Sequence, residues 1–71
     1  MKIMINDNDI EIIKINSNRY ILTTKKRLKN PNLEIKIRGL KLLLELIKER
    51  TRIIPQVTIE KSNYWKLIAK I

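Results

Sequence analysis

The sequence predicts an α+β fold, in which one long amphipathic helix packs on an antiparallel sheet in the order β-β-β-α-β-β. Two observations predict it. Short isoleucine-rich runs alternate with polar residues and are separated by turns rich in Asn, Asp and Ser. Leucines cluster instead in one central stretch, where apolar residues recur every three or four positions. With 71 residues, the chain is expected to form a single domain, residues 1–71, with a modest core.

The first part of the chain has the pattern of a meander. The predicted strands are residues 1–5, 10–15 and 19–24, separated by turns at 6–9 and 16–18. These turns are too short for a crossover connection, so neighbouring strands are expected to run antiparallel. Ile10 and Ile12 share one face of the second strand, whereas Ile13 and Ile15 share the other. The switch indicates either two buried faces or a bulge at Ile12–Ile13.

The central stretch, residues 30–52, is interpreted mainly as one helix. Asn30 or Asn32 can cap its start, and Pro31 suits the first turn, where its missing N–H removes no helical hydrogen bond. One apolar line at helical spacing is expected to face the core: Leu33, Ile37, Leu40, Leu44 and Ile47. The segment NPNLEIKIRGLKLLLEL resembles the second helix of a HEAT-type repeat. Because it occurs once, the resemblance implies a helix and no solenoid.

The same stretch has an alternative interpretation. Residues 33–37 alternate apolar and charged side chains as a strand does, and Gly39 costs about 1 kcal/mol in a helix relative to alanine. A strand at 33–37 would then precede a shorter helix at 40–51. The long helix is favoured because its apolar line continues through the glycine.

A second apolar stripe on this helix consists of Ile35, Leu42 and Leu46. A helix packed on one sheet needs only one apolar stripe. These three residues are therefore predicted to form an interface with a second copy or a larger protein, unless the hairpin or the meander covers them.

The last part of the chain predicts a hairpin, with strands at 53–60 and 64–71. Pro55 cannot donate a ladder hydrogen bond, so the first of these strands is expected at a sheet edge or bent. Trp65 is expected in the core. Tyr64 shares the opposite face with Lys66 and Lys70, which is the composition of an aromatic platform flanked by cations.

The composition argues against catalysis and against a membrane span. The chain has no His and no Cys, which are the usual general base and thiol nucleophile, and it has one glycine, too few for a glycine-rich phosphate loop. Asp7 and Asp9 share a turn that their local hydrogen bonding explains without a metal. No stretch approaches the roughly 20 apolar residues of a membrane span, and the N-terminus lacks the apolar core of a signal peptide. We therefore expect no enzyme activity, cofactor or metal, no membrane partner and a cytoplasmic location.

The net charge of +9 is concentrated in residues 19–41, which hold eight basic residues and one acidic residue. Cations beside a helix start oppose its dipole, so residues 25–29 suit an anionic ligand held there. Polyanions bind such patches by releasing counterions. The candidate nucleic-acid-binding residues are Lys25, Lys26, Arg27, Lys29, Lys36 and Arg38, with Tyr64, Lys66 and Lys70 as a second surface.

These patterns lead to two hypotheses of function. The first is a small basic non-enzymatic nucleic-acid-binding protein that makes mainly phosphate-backbone contacts with RNA or DNA. The alternative is an accessory subunit or interaction protein, which docks on a larger protein or forms a homodimer through the second apolar stripe of the helix.

Overall fold

A computed structural model describes all 71 residues and confirms the α+β architecture. In chain order, the elements are β1 (Lys2–Ile3), β2 (Ile10–Asn16), β3 (Arg19–Thr24), α1 (Leu33–Thr51), β4 (Gln56–Glu60) and β5 (Lys66–Lys70). The strands form one sheet in the order β1-β2-β3-β5-β4, and every neighbouring pair is antiparallel. β5 therefore lies between β3 and β4, and the two edges of the sheet are β1 and β4.

The meander differs from its prediction in two details. β1 has only two residues, where the pattern predicts a strand over residues 1–5. The register of β2 shifts between Lys14 and Asn16, so a bulge at Ile12–Ile13, one of the two alternatives for this strand, is not formed. Ile12 is fully buried on the helix side of the sheet, and Ile13 is half-buried on the other side. The run of isoleucines in β2 thus reflects ordinary strand alternation with apolar residues on both faces.

The central stretch forms the longer of the two expected helices. Asn32 is the N-cap: its side-chain oxygen accepts a hydrogen bond from the Ile35 N–H at 2.9 Å. The helix ends at Arg52, which adopts a left-handed conformation (φ 58°) and donates its N–H to the Lys48 carbonyl. No helix has both the length and the apolar character needed to cross a membrane.

The rotation of α1 about its own axis differs from the expected one. Its fully buried positions are Gly39, Leu43 and Ile47. Of the five residues that the sequence predicts to face the core, only Ile47 is fully buried. The predicted core residues Leu33 and Ile37 are 70% and 47% exposed. Gly39 explains the difference, because a Cβ there would lie 3.1 Å from Leu22 Cδ2. The glycine, which has no side chain, lies against Leu22 of β3.

The stripe predicted as an interface faces the core as a result. Ile35, Leu42 and Leu46 are half-buried and pack against the core cluster. The stripe that stays exposed is the other one, which includes Leu33, Ile37 and Leu40. The helix therefore carries two apolar stripes, as the sequence indicates. The N-terminal half of the predicted core line is exposed, whereas Ile47 at its C-terminal end is buried.

The helix lies across β2 and β3 on one side of the sheet. The core between them and along the same side of β5 consists of Ile3, Ile10, Ile12, Tyr20, Leu22, Leu43, Ile47, Trp65, Leu67 and Ala69. The opposite side carries no helix, and we call it the open face. Strand register places these residues on it: Lys2, Glu11, Ile13, Arg19, Ile21, Thr23, Gln56, Thr58, Glu60, Lys66, Ile68 and Lys70.

Candidate nucleic-acid interface

Residues 25–32, which join β3 to α1, form a basic connector that is anchored to the sheet by hydrogen bonds of its backbone. The Leu28 carbonyl accepts from the Trp65 N–H at 3.0 Å, and the Leu28 N–H donates to Thr24 Oγ1 at 2.8 Å. The Lys25 N–H donates to the Asp9 carbonyl at 2.8 Å. The connector is thereby held beside the residues that lead into β5.

This anchoring brings together two groups of residues that the sequence places far apart. The Arg27 guanidinium lies 5.4 Å from the centre of the Tyr64 ring, and Lys66 Nζ lies 5.0 Å from the same centre. Both distances are in the range of cation–π attraction. We call Arg27, Tyr64 and Lys66 the aromatic cluster. It joins the two surfaces that the sequence predicts into one.

The remaining connector cations keep their charge available. Lys26 and Lys29 are exposed and make no ion pair or side-chain hydrogen bond. The Lys25 ammonium donates to the Asp7 carbonyl at 2.8 Å, and the Lys36 ammonium donates to Asn30 Oδ1 at 2.9 Å. Both acceptors are neutral, so neither cancels the positive charge. We call the set Lys25, Lys26, Arg27, Lys29 and Lys36 the connector patch.

Arg38 does not belong to this patch, although the sequence predicts it there. Its guanidinium lies 2.6 Å from Asp9 Oδ2 and 3.8 Å from Glu34 Oε1. Its Nε also lies 2.9 Å from Asp7 Oδ2, within ion-pair distance. Three carboxylates thus neutralise Arg38. The acidic turn that precedes β2 has a structural partner in this arginine, which ties the turn to α1.

The open face ends in a basic pair that sequence reasoning missed. The sequence predicts Lys70 as a binding residue, and the register places Arg19 directly opposite it in β3. Gln56 is opposite Lys70 on its other side, in β4. Strand alternation alone puts Arg19 on the outer face of its strand. Pairing it with Lys70 requires knowing that β3 and β5 are neighbours, which no local pattern reveals.

The other cations of the open face have acidic partners. Lys66 Nζ lies 3.3 Å from Glu60 Oε1, and Lys2 Nζ lies 3.1 Å from Glu11 Oε2. No group of three or more His, Cys, Asp or Glu side chains is placed to hold a metal ion. Comparisons with known proteins gave no matching family model, curated protein or solved structure.

Proposed function

We propose that this protein is a non-enzymatic nucleic-acid-binding protein that contacts mainly the phosphate backbone. The connector patch supplies the cations, and Tyr64 supplies a ring on which a base can stack. The observation that carries the proposal is the aromatic cluster, where Arg27 and Lys66 both lie within 5.4 Å of one tyrosine ring. Aromatic rings combined with cations bind a nucleic-acid strand through stacking and charge together.

The charge around this cluster supports the same conclusion. The protein carries +9 overall, and Lys26 and Lys29 have no partner within the molecule. A polyanion bound there would gain entropy by releasing its condensed counterions. Such contacts position a strand without distinguishing bases, so we expect little sequence preference. We expect the protein to act in the cytoplasm.

A salt titration with a labelled oligonucleotide tests the proposal. Fluorescence anisotropy gives the dissociation constant at several salt concentrations for the wild type and for Lys26→Ala/Lys29→Ala. If both lysines bind phosphates of a single strand, the logarithmic salt slope falls by about 0.7 for each phosphate that is no longer neutralised. The control is Lys41→Ala/Lys48→Ala, which removes the same charge from exposed positions on the helix. Equal weakening by both double variants would show that net charge alone drives binding and would overturn the proposal.

A second candidate function is self-association, and the structure offers a different surface for it than the sequence does. A groove of about 210 Å³ lies between α1 and the β4–β5 hairpin. Its lining is apolar except for one lysine: Leu33, Lys36, Ile37, Leu40, Ile59, Trp65 and Leu67. Ile59, which belongs to the edge strand β4, is 64% exposed. We infer that a second copy of this chain covers the groove.

The edge strand favours a second copy as the occupant. Edge strands are normally protected by lysine, by proline or by a bulge. β4 has none of these within its five residues, and Glu60 is its only charge. Antiparallel pairing of β4 with its counterpart would satisfy both edges and bring the two grooves together about a twofold axis.

Sedimentation equilibrium at moderate salt tests this second candidate. We expect a dimer for the wild type and a monomer for Ile59→Lys, which places a charge in the groove and on the edge. Ile54→Lys is the control, because Ile54 is 83% exposed and lies outside the groove. A wild-type monomer at every concentration that can be reached would overturn self-association and leave nucleic-acid binding unaffected.

A further inference from the structure

The open face carries a pair of cations that the fold places side by side without compensation. Arg19 and Lys70 are directly opposite each other in the β3–β5 pairing, and both are exposed. Like charges in this arrangement destabilise a sheet. Neither residue forms an ion pair, whereas Lys66 and Lys2 on the same face each have a glutamate. The uncompensated charge is therefore confined to one end of the face.

The space around this pair has the shape and chemistry of an anion site. A shallow pocket of about 290 Å³ is lined by Arg19, Gln56, Thr58, Ile68 and Lys70. Four of its five side chains can donate hydrogen bonds, and none is a carboxylate. A phosphate group, which only accepts hydrogen bonds and carries negative charge, matches this lining.

The pocket is aligned with the aromatic cluster along one strand. Lys66 and Lys70 mark the two ends of β5 on the open face, and four residues of strand span about 13 Å. Between them lies Ile68, beside the half-buried Ile21 of β3. These two side chains give the surface between the two ends an apolar strip that unstacked bases can contact.

We propose that Arg19, Lys70, Gln56 and Thr58 bind one phosphate of a single-stranded nucleic acid that runs along β5 from Tyr64. This inference rests on the proposed nucleic-acid function and specifies its ligand. A duplex keeps its bases stacked inside and cannot place one on Tyr64 or Ile68. A single strand can place its bases on the face, one phosphate at Arg19 and Lys70, and others at the connector patch.

Inorganic phosphate tests the pocket without any nucleic acid. Titration is followed by NMR shifts of the Gln56 side-chain amide and of the backbone amides of Thr58 and Lys70. We expect saturable shifts in the wild type and their loss in Arg19→Gln/Lys70→Gln. Lys41→Gln/Lys48→Gln, a double variant of exposed helix positions, should keep them. Shifts that are absent in the wild type, or unchanged in the pocket variant, would overturn the site.

Oligothymidines and oligouridines of increasing length test the path of the strand. Lengths from about 2 to about 16 nucleotides are used, because about 16 nucleotides is the upper site size of single-strand-binding OB folds. Wild-type affinity should increase with length until the strand reaches Lys70. Arg19→Gln/Lys70→Gln should match the wild type on the shortest oligomers, lose the increase on longer ones, and show a salt slope shallower by about 0.7, the value for one phosphate. The same length dependence in both proteins, or equal affinity for duplex, would overturn the inference while the connector patch still binds. If no oligomer binds either protein, the nucleic-acid function itself is overturned.

Discussion

The two faces of the sheet are built from the same isoleucine-rich strands, and they differ in how much apolar and charged surface they leave exposed. On the helix side, Ile10, Ile12 and Leu22 are fully buried. On the open face, Ile13, Ile21 and Ile68 are only half-buried. The difference shows that one face holds the fold together, while the other has both apolar surface and charge to offer a ligand.

Two arginines, one on the helix and one on the open face, show the same contrast. Arg38 on the helix is surrounded by the carboxylates of Asp7, Asp9 and Glu34, so its charge serves the fold. Arg19 on the open face has Lys70 as its neighbour and no carboxylate partner. Substitutions on the helix side should therefore change stability more than binding, and substitutions on the open face should do the reverse.

The largest effect is expected from Leu43→Ala on the helix side. Leu43 is fully buried in the core, and truncating such a leucine costs about 2–5 kcal/mol of the free energy of unfolding. Urea unfolding followed by the fluorescence of Trp65 measures it. Leu40→Ala is the matched control, because Leu40 is 38% exposed. A similar decrease in both variants would contradict this orientation of the helix.

Gly39→Val should have the next largest effect. A Cβ at this position would already lie 3.1 Å from Leu22 Cδ2, so a valine forces the helix away from β3. Overpacking of this kind costs about 1–3 kcal/mol. Lys41→Val places the same side chain at an exposed helix position without the clash. It lowers helix propensity slightly, whereas replacing glycine by valine raises it, so propensity alone would make Gly39→Val the more stable variant. Equal midpoints of urea unfolding for the two variants would show that the close approach has no energetic weight.

Arg38→Met should have a smaller effect on stability and almost none on binding. It leaves Asp7, Asp9 and Glu34 without their cation, but the arginine side chain is 37% exposed and solvent weakens the pairing. We expect a decrease of about 1 kcal/mol in the free energy of unfolding, measured by urea unfolding at low salt. Lys29→Met removes the same charge from the connector patch and should weaken oligonucleotide binding. If Arg38→Met weakened binding as much, Arg38 would belong to the interface after all.

The smallest change in stability is expected from Arg19→Gln on the open face. It relieves the repulsion from Lys70, so the free energy of unfolding should rise slightly, by about 0.2–1 kcal/mol. Thermal unfolding at low salt measures the change, and added salt should reduce the difference from the wild type. A clear decrease in stability would mean that Arg19 has a structural role and would weaken its assignment to a phosphate site.

Local patterns predicted the elements of this fold well. Alternation located the strands and placed Lys66 and Lys70 on one face, and the Asn-Pro-Asn start located the helix. Tyr64, predicted to begin the last strand, lies in a bend before β5. These signals depend on neighbours within a few residues, and the chain follows them. The length of the helix was also correct, in spite of Gly39.

The relations between distant elements could not be predicted in this way. Both helix stripes are apolar, so which one faces the sheet depends on tertiary packing, including the close contact between Gly39 and Leu22. The ion pair between Arg38 and Asp9 spans 29 residues, and no local pattern indicates it. The pairing of Arg19 with Lys70 follows from the position of β5 next to β3. Each of these depends on tertiary packing that overrides local preference.

The position of β5 has a consequence for how the molecule is assembled. It is the last of the five strands to be synthesised, yet it is inserted between β3 and β4 and carries one side of the open face. Until it emerges from the ribosome, β3 and β4 have no partner at that position, and Tyr64 is not yet beside Arg27. A nascent chain that stops short of residue 66 thus leaves one edge of β3 open and β4 without any partner, and it lacks both lysines of the proposed ligand surface. Binding competence and sheet closure should therefore appear together.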